Sequence, residues 1–335
     1  MSLYRNILKQ AVKITWRHKY LWFLGLFASL IGSNVGDQIL VYGLDGSVSK
    51  NLFVTISRFK STGIFNFNIF IFIEQLFKND PIATLILLLI TLIILILFVL
   101  IIWLAIISQI GLVKNSAQII SPRNKQSEVY GIKNNAINGM QHFWSVLGIN
   151  LVSKIMVFFI LFLSSLPILI GMTSKTGVSQ SLKFNLLCII LFTLCSVAAI
   201  IISFIAKYAI AYIVLKQATL IKSIKQAFGL FISNWLISVE MAFILFFINF
   251  MAGVSIMFIM FLLFGSFFFT SMFAGSGWIM LIGIFLLLFI IIIFGSALTT
   301  FQITAWTNLF IKITNNRSKN LSKIVRIFSR SNNMQ

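Results

Sequence analysis

Six apolar runs, at roughly residues 20–42, 82–112, 145–171, 184–213, 236–264 and 278–311, dominate this chain. Each is long enough to cross a hydrocarbon core, which takes about 20 residues of helix. Positive charge is split unequally between their ends. Residues 1–19 carry Arg5, Lys9, Lys13, Arg17 and Lys19, and residues 113–142 carry Lys114, Arg123, Lys125 and Lys133. Lys207, Lys216, Lys222 and Lys225 follow within 207–234, and Lys312, Arg317, Lys319, Lys323, Arg326 and Arg330 close the chain. The opposite loops hold only Lys50, Arg58, Lys60, Lys78, Lys175 and Lys183, together with Asp37, Asp45, Glu74 and Asp80. Basic residues concentrate on the cytoplasmic side of a membrane protein. The expectation is a six-span inner (plasma) membrane protein with both termini in the cytoplasm.

Composition narrows the class further. The chain has 335 residues, of which 59% are hydrophobic and 10% charged, with a mean hydropathy of +1.04. A soluble domain carries about a quarter charged residues, so no separate soluble domain is expected. The formal charge of +20 would suggest nucleic acid on a soluble basic face. On a membrane protein it is read instead as retention signals and contacts for anionic lipid. No nucleic-acid partner is expected. Cys188 and Cys195 are two helical turns apart in the fourth run, without CxxC or metal spacing, and are expected as packed thiols. No cleavable signal peptide is expected, because the first apolar run begins only after a long basic stretch.

A threefold internal repeat organises the chain. The stretches ILKQAVKITWRHKY (7–20), IKNNAINGMQHFW (132–144) and IKQAFGLFISNW (224–235) each precede an outward-going span. Aligning Ala11, Ala136 and Ala227 puts Gln10, Asn135 and Gln226 one residue before each, and Tyr20, Trp144 and Trp235 after. In the first stretch Arg5, Lys9, Lys13 and Arg17 recur every four residues as a basic stripe. Leu3, Ile7, Leu8, Ala11, Val12 and Trp16 are expected on the other face. Such a helix either packs on the end of the bundle or lies in the headgroup plane with its apolar side down. The C-terminal stretch repeats the pattern, with Leu321, Ile324, Val325 and Phe328 opposite Lys319, Lys323, Arg326 and Arg330, and Ser318 as the expected N-cap. In the outer loop 43–81, NFNIFIFIEQLFKNDP suggests a surface helix before Pro81 opens the second span.

Charges inside spans are costly and draw attention as functional candidates. Lys154 lies about 15 Å beyond Trp144 at helical rise, and Glu240 about 7–8 Å beyond Trp235. An ion pair of Glu240 with Lys154 or Lys207 is expected either to fix helix register or to line a polar path for a headgroup or proton. Asn150, Asn185, Asn249 and Ser203 would line the same path or bridge helices. Catalysis is not expected. The two histidines, His18 and His142, are far apart in sequence, the acids are scattered, and Ser276 in AGSGW has no later histidine to act as its base. That fragment reads as a tight turn between the last two spans.

The opening WRHKYLWFLGLFASLIG, the repeated Ala–aromatic helices and the closing FQITAWTNLF resemble a loose bacterial group of six-span proteins. The group includes YciC-like proteins and the membrane domain that precedes some glycerophosphodiester phosphodiesterases. No phosphodiesterase domain is expected here, so that activity is not carried over. The resemblance implies a fold and a setting in envelope or lipid homeostasis.

The expected architecture is an all-α integral membrane domain over 1–317, made of three hairpins, each preceded by an amphipathic interfacial helix. The pseudo-repeats are 1–120, 130–217 and 218–313, and a basic amphipathic cytoplasmic tail occupies 318–335. The expected function is non-enzymatic: binding or organising anionic lipid through Arg5, Lys9, Lys13, Arg17, Lys323 and Arg326, or assisting an envelope protein partner. The alternative is a transporter or channel with a polar path near Lys154 and Glu240. No cofactor or metal is expected.

Overall fold

Long stretches of Leu, Ile and Phe with few helix-breaking residues make long helices, and helices are what the chain forms. The computed structural model describes residues 2–31, 77–78, 80–121, 132–173 and 182–332. The expected continuation of the first span beyond Ile31, and the expected surface helix up to residue 76, lie outside the described residues, as do the side chains of the tail, Lys323 and Arg326 included. The helices are α1 (Ser2–Arg17), α2 (Tyr20–Ile31), α3 (Pro81–Ile120), α4 (Ile132–Thr173), α5 (Leu182–Lys216), α6 (Leu220–Ser233), α7 (Trp235–Ala274) and α8 (Gly277–Asn332).

Among the described residues five stretches are long and apolar enough to cross a membrane: Pro81–Ile120, Gln141–Ser164, Leu186–Lys216, Trp235–Ala274 and Gly277–Asn315. Tyr20–Leu30 is a shorter apolar helix. Every large apolar side chain from Leu85 to Leu100 is at least 50% exposed. A helix apolar all round with that exposure is soluble only in lipid. The chain is a multi-pass membrane protein. At 1.5 Å per residue α3 is about 60 Å long, twice the thickness of the hydrocarbon core, so part of it extends past the bilayer interior.

The chain divides into two compact units, one of residues 1–32, 104–150 and 204–335, the other of 33–103 and 151–203. In the second unit α4 and α5 meet through buried Val157 and Ala199, with Leu161, Phe192, Ile200 and Ile202 packed around them. Cys188 is buried, Cys195 is half-buried, and both are free thiols.

The first unit is assembled on α8. Ser296, Thr300, Thr304 and Asn308 recur every four residues, so they share one helical face, and all four are buried. Each bonds a different neighbour or position. Ser296 Oγ donates to the Trp22 carbonyl. Thr300 Oγ1 donates to the Leu21 carbonyl at 3.1 Å. Thr304 Oγ1 and Ser116 Oγ of α3 lie 2.9 Å apart. The Asn308 amide donates to Gln10 Oε1 at 3.2 Å and points at the Ile7 carbonyl at 3.4 Å. Where apolar contact with lipid and with protein are nearly equivalent, such bonds and close packing select one helix face over another. Gln302 of α8 also donates to Asn249 of α7 at 2.5 Å, and Asn150 of α4 to Gln109 of α3 at 2.8 Å. These two asparagines therefore bridge helices.

α7 and α8 form a hairpin. Gly275 ends α7 in the left-handed region at φ +59°, which glycine enters without a Cβ clash. The Ser271 hydroxyl donates to the Ser276 carbonyl at 2.9 Å across this turn.

Two expectations about boundaries are corrected. The stretch 132–144 does not form a separate helix but runs without a break into the span, as α4. Likewise the tail is the end of α8, which is helical to Asn332 with no N-terminus at Ser318; no Gly or Pro occurs between Ile311 and Asn332 to interrupt it. By contrast α1 and α2 are separated at His18–Lys19, and α6 and α7 at Asn234. There Asn234 leaves helical geometry at φ −138°, and its side-chain amide caps the Leu230 carbonyl at 3.2 Å, the competition with helix that Asn favours.

Candidate functional site

The basic end of the first unit brings together most of the residues singled out above. In α1 the buried positions are Ile7, Ala11, Ile14 and Thr15, and this face packs on α8. Thr15 is tolerated there because its hydroxyl donates back to the Ala11 carbonyl at 2.9 Å, so no polar group is left without a bond. Arg5, Lys9, Lys13 and Arg17 are all exposed on the opposite side. Val12 and Trp16, expected on the apolar face, are instead 43% and 65% exposed beside the basic stripe. The helix thus has a protein-facing side and an outward side on which cations flank two apolar residues. Trp16 is held edge-on against Trp22 with ring centroids 5.7 Å apart, and the Trp22 indole donates to the Thr15 carbonyl at 2.9 Å.

The same register recurs in α6. Its buried residues, Ser223, Ala227, Leu230 and Phe231, are spaced like Ile7, Ala11, Ile14 and Thr15. Lys222, Lys225, Ile221, Phe228 and Ile232 are exposed. Lysine and apolar residues again share the outward side.

A buried aromatic cluster supports this end. Phe204, Tyr208 and Tyr212 lie one turn apart along α5 and meet Phe231 of α6 and Trp306 and Phe310 of α8. The centroid distances are 5.4 Å for Phe204–Trp306, 5.9 Å for Tyr208–Trp306 and 4.9 Å for Tyr212–Phe310. The Tyr208 hydroxyl and Ser238 Oγ of α7 lie 2.7 Å apart. Lys207 places its ammonium 4.8 Å above the Trp306 ring, and Lys216 lies 5.1 Å from the Tyr212 ring. Cation–π attraction of this kind contributes roughly 0.5–2 kcal/mol.

Glu240, an intramembrane candidate, accepts a hydrogen bond from the Tyr4 hydroxyl of α1. This bond ties the N-terminal helix to α7. The Tyr4 phenol is pushed up to about 12, by burial first and then by the bond and charge of Glu240. It therefore stays a donor at every physiological pH. A raised phenol favours the folded state below its ordinary pKa near 10; that contribution disappears as pH rises through about 12. Glu240→Gln is expected to lower the Tyr4 titration only part of the way toward its ordinary value, because burial remains. Spectrophotometric titration of the phenols, compared with Tyr4→Phe to assign the group, checks this.

Lys154 belongs to the second unit and is exposed on α4. Lys207 sits on the aromatic cluster. Among the described residues no group of three or more His, Cys, Asp or Glu converges in a metal-like arrangement. The polar face Ser296–Thr300–Thr304–Asn308 escaped sequence reasoning, although its spacing of four was visible within the last apolar run. No family model, no curated protein and no solved structure matches this chain.

Proposed function

We propose that this chain is a non-enzymatic, six-span inner-membrane protein whose basic end faces the cytoplasmic leaflet and binds or organises anionic lipid. The observation that carries this reading is the outward side of α1. Its four cations are exposed in one stripe with Val12 and Trp16 beside them, while the face that would otherwise seek lipid is filled by α8. Cations flanking a tryptophan suit the headgroup level, where ammonium and guanidinium groups meet phosphates and an indole meets the upper acyl region. The outward side of α6 adds Lys222 and Lys225 with Phe228 and Ile232. Membership of the YciC-like six-span group, and a part in envelope or lipid homeostasis, belong to the same proposal.

Each cation near an anionic leaflet contributes about 1 kcal/mol. The test is the lipid composition of polymer-excised membrane discs around the protein. The wild type is expected to be enriched several-fold in anionic lipid over the bulk membrane. With Arg5, Lys9, Lys13 and Arg17 all changed to Gln, the ratio is expected to fall to the bulk value. Equal enrichment in both proteins contradicts the reading.

A further inference from the structure

At the basic end of the first unit a cavity of about 300 Å³ opens between the C-terminal ends of α3 and α5 and the side of α4. Its polar lining is Lys114 and Gln118 of α3 with Ser121 just after it, Gln141 and His142 of α4, and Gln217 just after α5. The convergence follows from register. Positions 114, 118 and 121 are spaced i, i+4, i+7 and so share one side, since the Ser121 N–H, just past the end of α3, still bonds the Ala117 carbonyl at 3.0 Å. Gln217 closes α5 in the left-handed region at φ +52°, and the Ala218 N–H reaches back to the Tyr212 carbonyl at 3.5 Å. Glycine is the ordinary residue for that position. A glutamine there accepts backbone strain and keeps an amide on the wall of the cavity.

The chemistry of this lining is one-sided. An ammonium, an imidazole, three carboxamides and a hydroxyl face the space, and no carboxylate is among the described lining residues. These groups supply many donors and a positive charge. A carboxylate ligand is best met by the flat fork of an arginine, and no arginine is among the described lining residues either. A tetrahedral oxyanion, with acceptors pointing in several directions, matches donors arriving from three separate segments of the chain. The volume is at the lower limit for ligand pockets. It accommodates a phosphorylated headgroup or a small phosphate compound but not an acyl chain.

We propose that this cavity binds a phosphate group, carried either by an anionic lipid headgroup or by a small soluble molecule. The lipid source rests on the reading that the basic end meets the anionic leaflet; the soluble source does not.

The experiment uses the full chain, purified and delipidated in neutral detergent, with thermal unfolding as the readout. The probes are inorganic phosphate against chloride at equal ionic strength, and short-chain phosphatidic acid against diacylglycerol of the same chain length. A rise in melting temperature with phosphate or phosphatidic acid is expected, with the apparent affinity reduced about tenfold or more in Lys114→Gln. A response to phosphatidic acid alone identifies the lipid source, and a response to inorganic phosphate identifies a soluble one. Gln217→Gly serves as the second variant. Glycine relieves the left-handed strain, so its unliganded melting temperature is expected at or above wild type while the ligand response weakens. No response to either probe, or equal responses in wild type and both variants, overturns the proposal. The fourfold variant of Arg5, Lys9, Lys13 and Arg17 separates the two ideas. If it keeps its anionic-lipid enrichment, the reading of α1 fails while the phosphate response of the cavity is still measured on its own.

Discussion

Replacing Gly25 with leucine is expected to prevent the first unit from assembling. α2 crosses α8 at this glycine so closely that a Cβ would overlap the Ser296 carbonyl oxygen and Thr300 Oγ1, and would lie 3.2 Å from the Ser296 carbonyl carbon. The obstacles are backbone and a hydroxyl already held by the Ser296 carbonyl at 2.9 Å, so neither moves easily. α2 must withdraw, and in withdrawing it loses the hydrogen bonds from Ser296 and Thr300 to the Trp22 and Leu21 carbonyls. Overpacking costs about 1–3 kcal/mol, and each bond adds about 1 kcal/mol. The sum, about 3–5 kcal/mol, is a large part of the roughly 5–15 kcal/mol that holds a typical protein folded. Gly25→Leu is expected to yield little monodisperse protein in detergent. Gly25→Ala is expected to fold with a much lower melting temperature. Thr300→Val, which removes one hydroxyl and adds no bulk, is expected to cost only about 1 kcal/mol. A Gly25→Leu protein that melts like wild type would remove α8 from its place at the centre of the unit.

Trp306→Ala is expected to have the next largest effect, at about 3–5 kcal/mol, the range for emptying a buried large aromatic site. Trp306 is 8% exposed and touches Phe204 and Tyr208 of α5 while carrying Lys207 on its face. Removing it opens a void that the α5 rings cannot fill and takes away the ring face under the Lys207 ammonium. Trp306→Phe keeps a ring against Phe204 and is expected to recover most of the loss. Because the rings act as a group, Trp306→Ala combined with Phe204→Ala is expected to cost less than the two changes added together. Thermal unfolding of the wild type, the three single variants and the double variant in one detergent checks both statements. Full additivity would mean that the rings do not cooperate.

Much of the architecture was legible in the sequence, for particular reasons. Apolar runs of more than about 20 residues leave few alternatives to transmembrane helix, and Pro81 begins α3 as its fixed φ suits a first turn. The basic stripe of α1 was legible because a spacing of four keeps Arg5, Lys9, Lys13 and Arg17 on one side. Its buried face was only partly so. The apolar half of the helix is wider than the arc that α8 covers, so Val12 and Trp16 are left outside while Ile14 and Thr15 are taken in. Sequence pattern reports which residues avoid water; it does not distinguish a protein neighbour from lipid. The same limit hid the α8 stripe, because four small polar residues within an apolar run barely change its hydropathy. The break between helices was legible where Asn234 competes for backbone bonds, and illegible in 132–144, where nothing interrupts the helix. The cavity of Lys114, His142 and Gln217 joins residues from three separate elements, and no local spacing records such a meeting.

The central claim, that the basic end holds anionic lipid, is tested most directly by native mass spectrometry of the full chain extracted gently from its own membrane. Anionic phospholipid bound at a defined stoichiometry, and lost when Arg5, Lys9, Lys13 and Arg17 are neutralised, is the result the account predicts. The same lipid adducts on the neutralised protein, or a bound second polypeptide with no lipid, would contradict it.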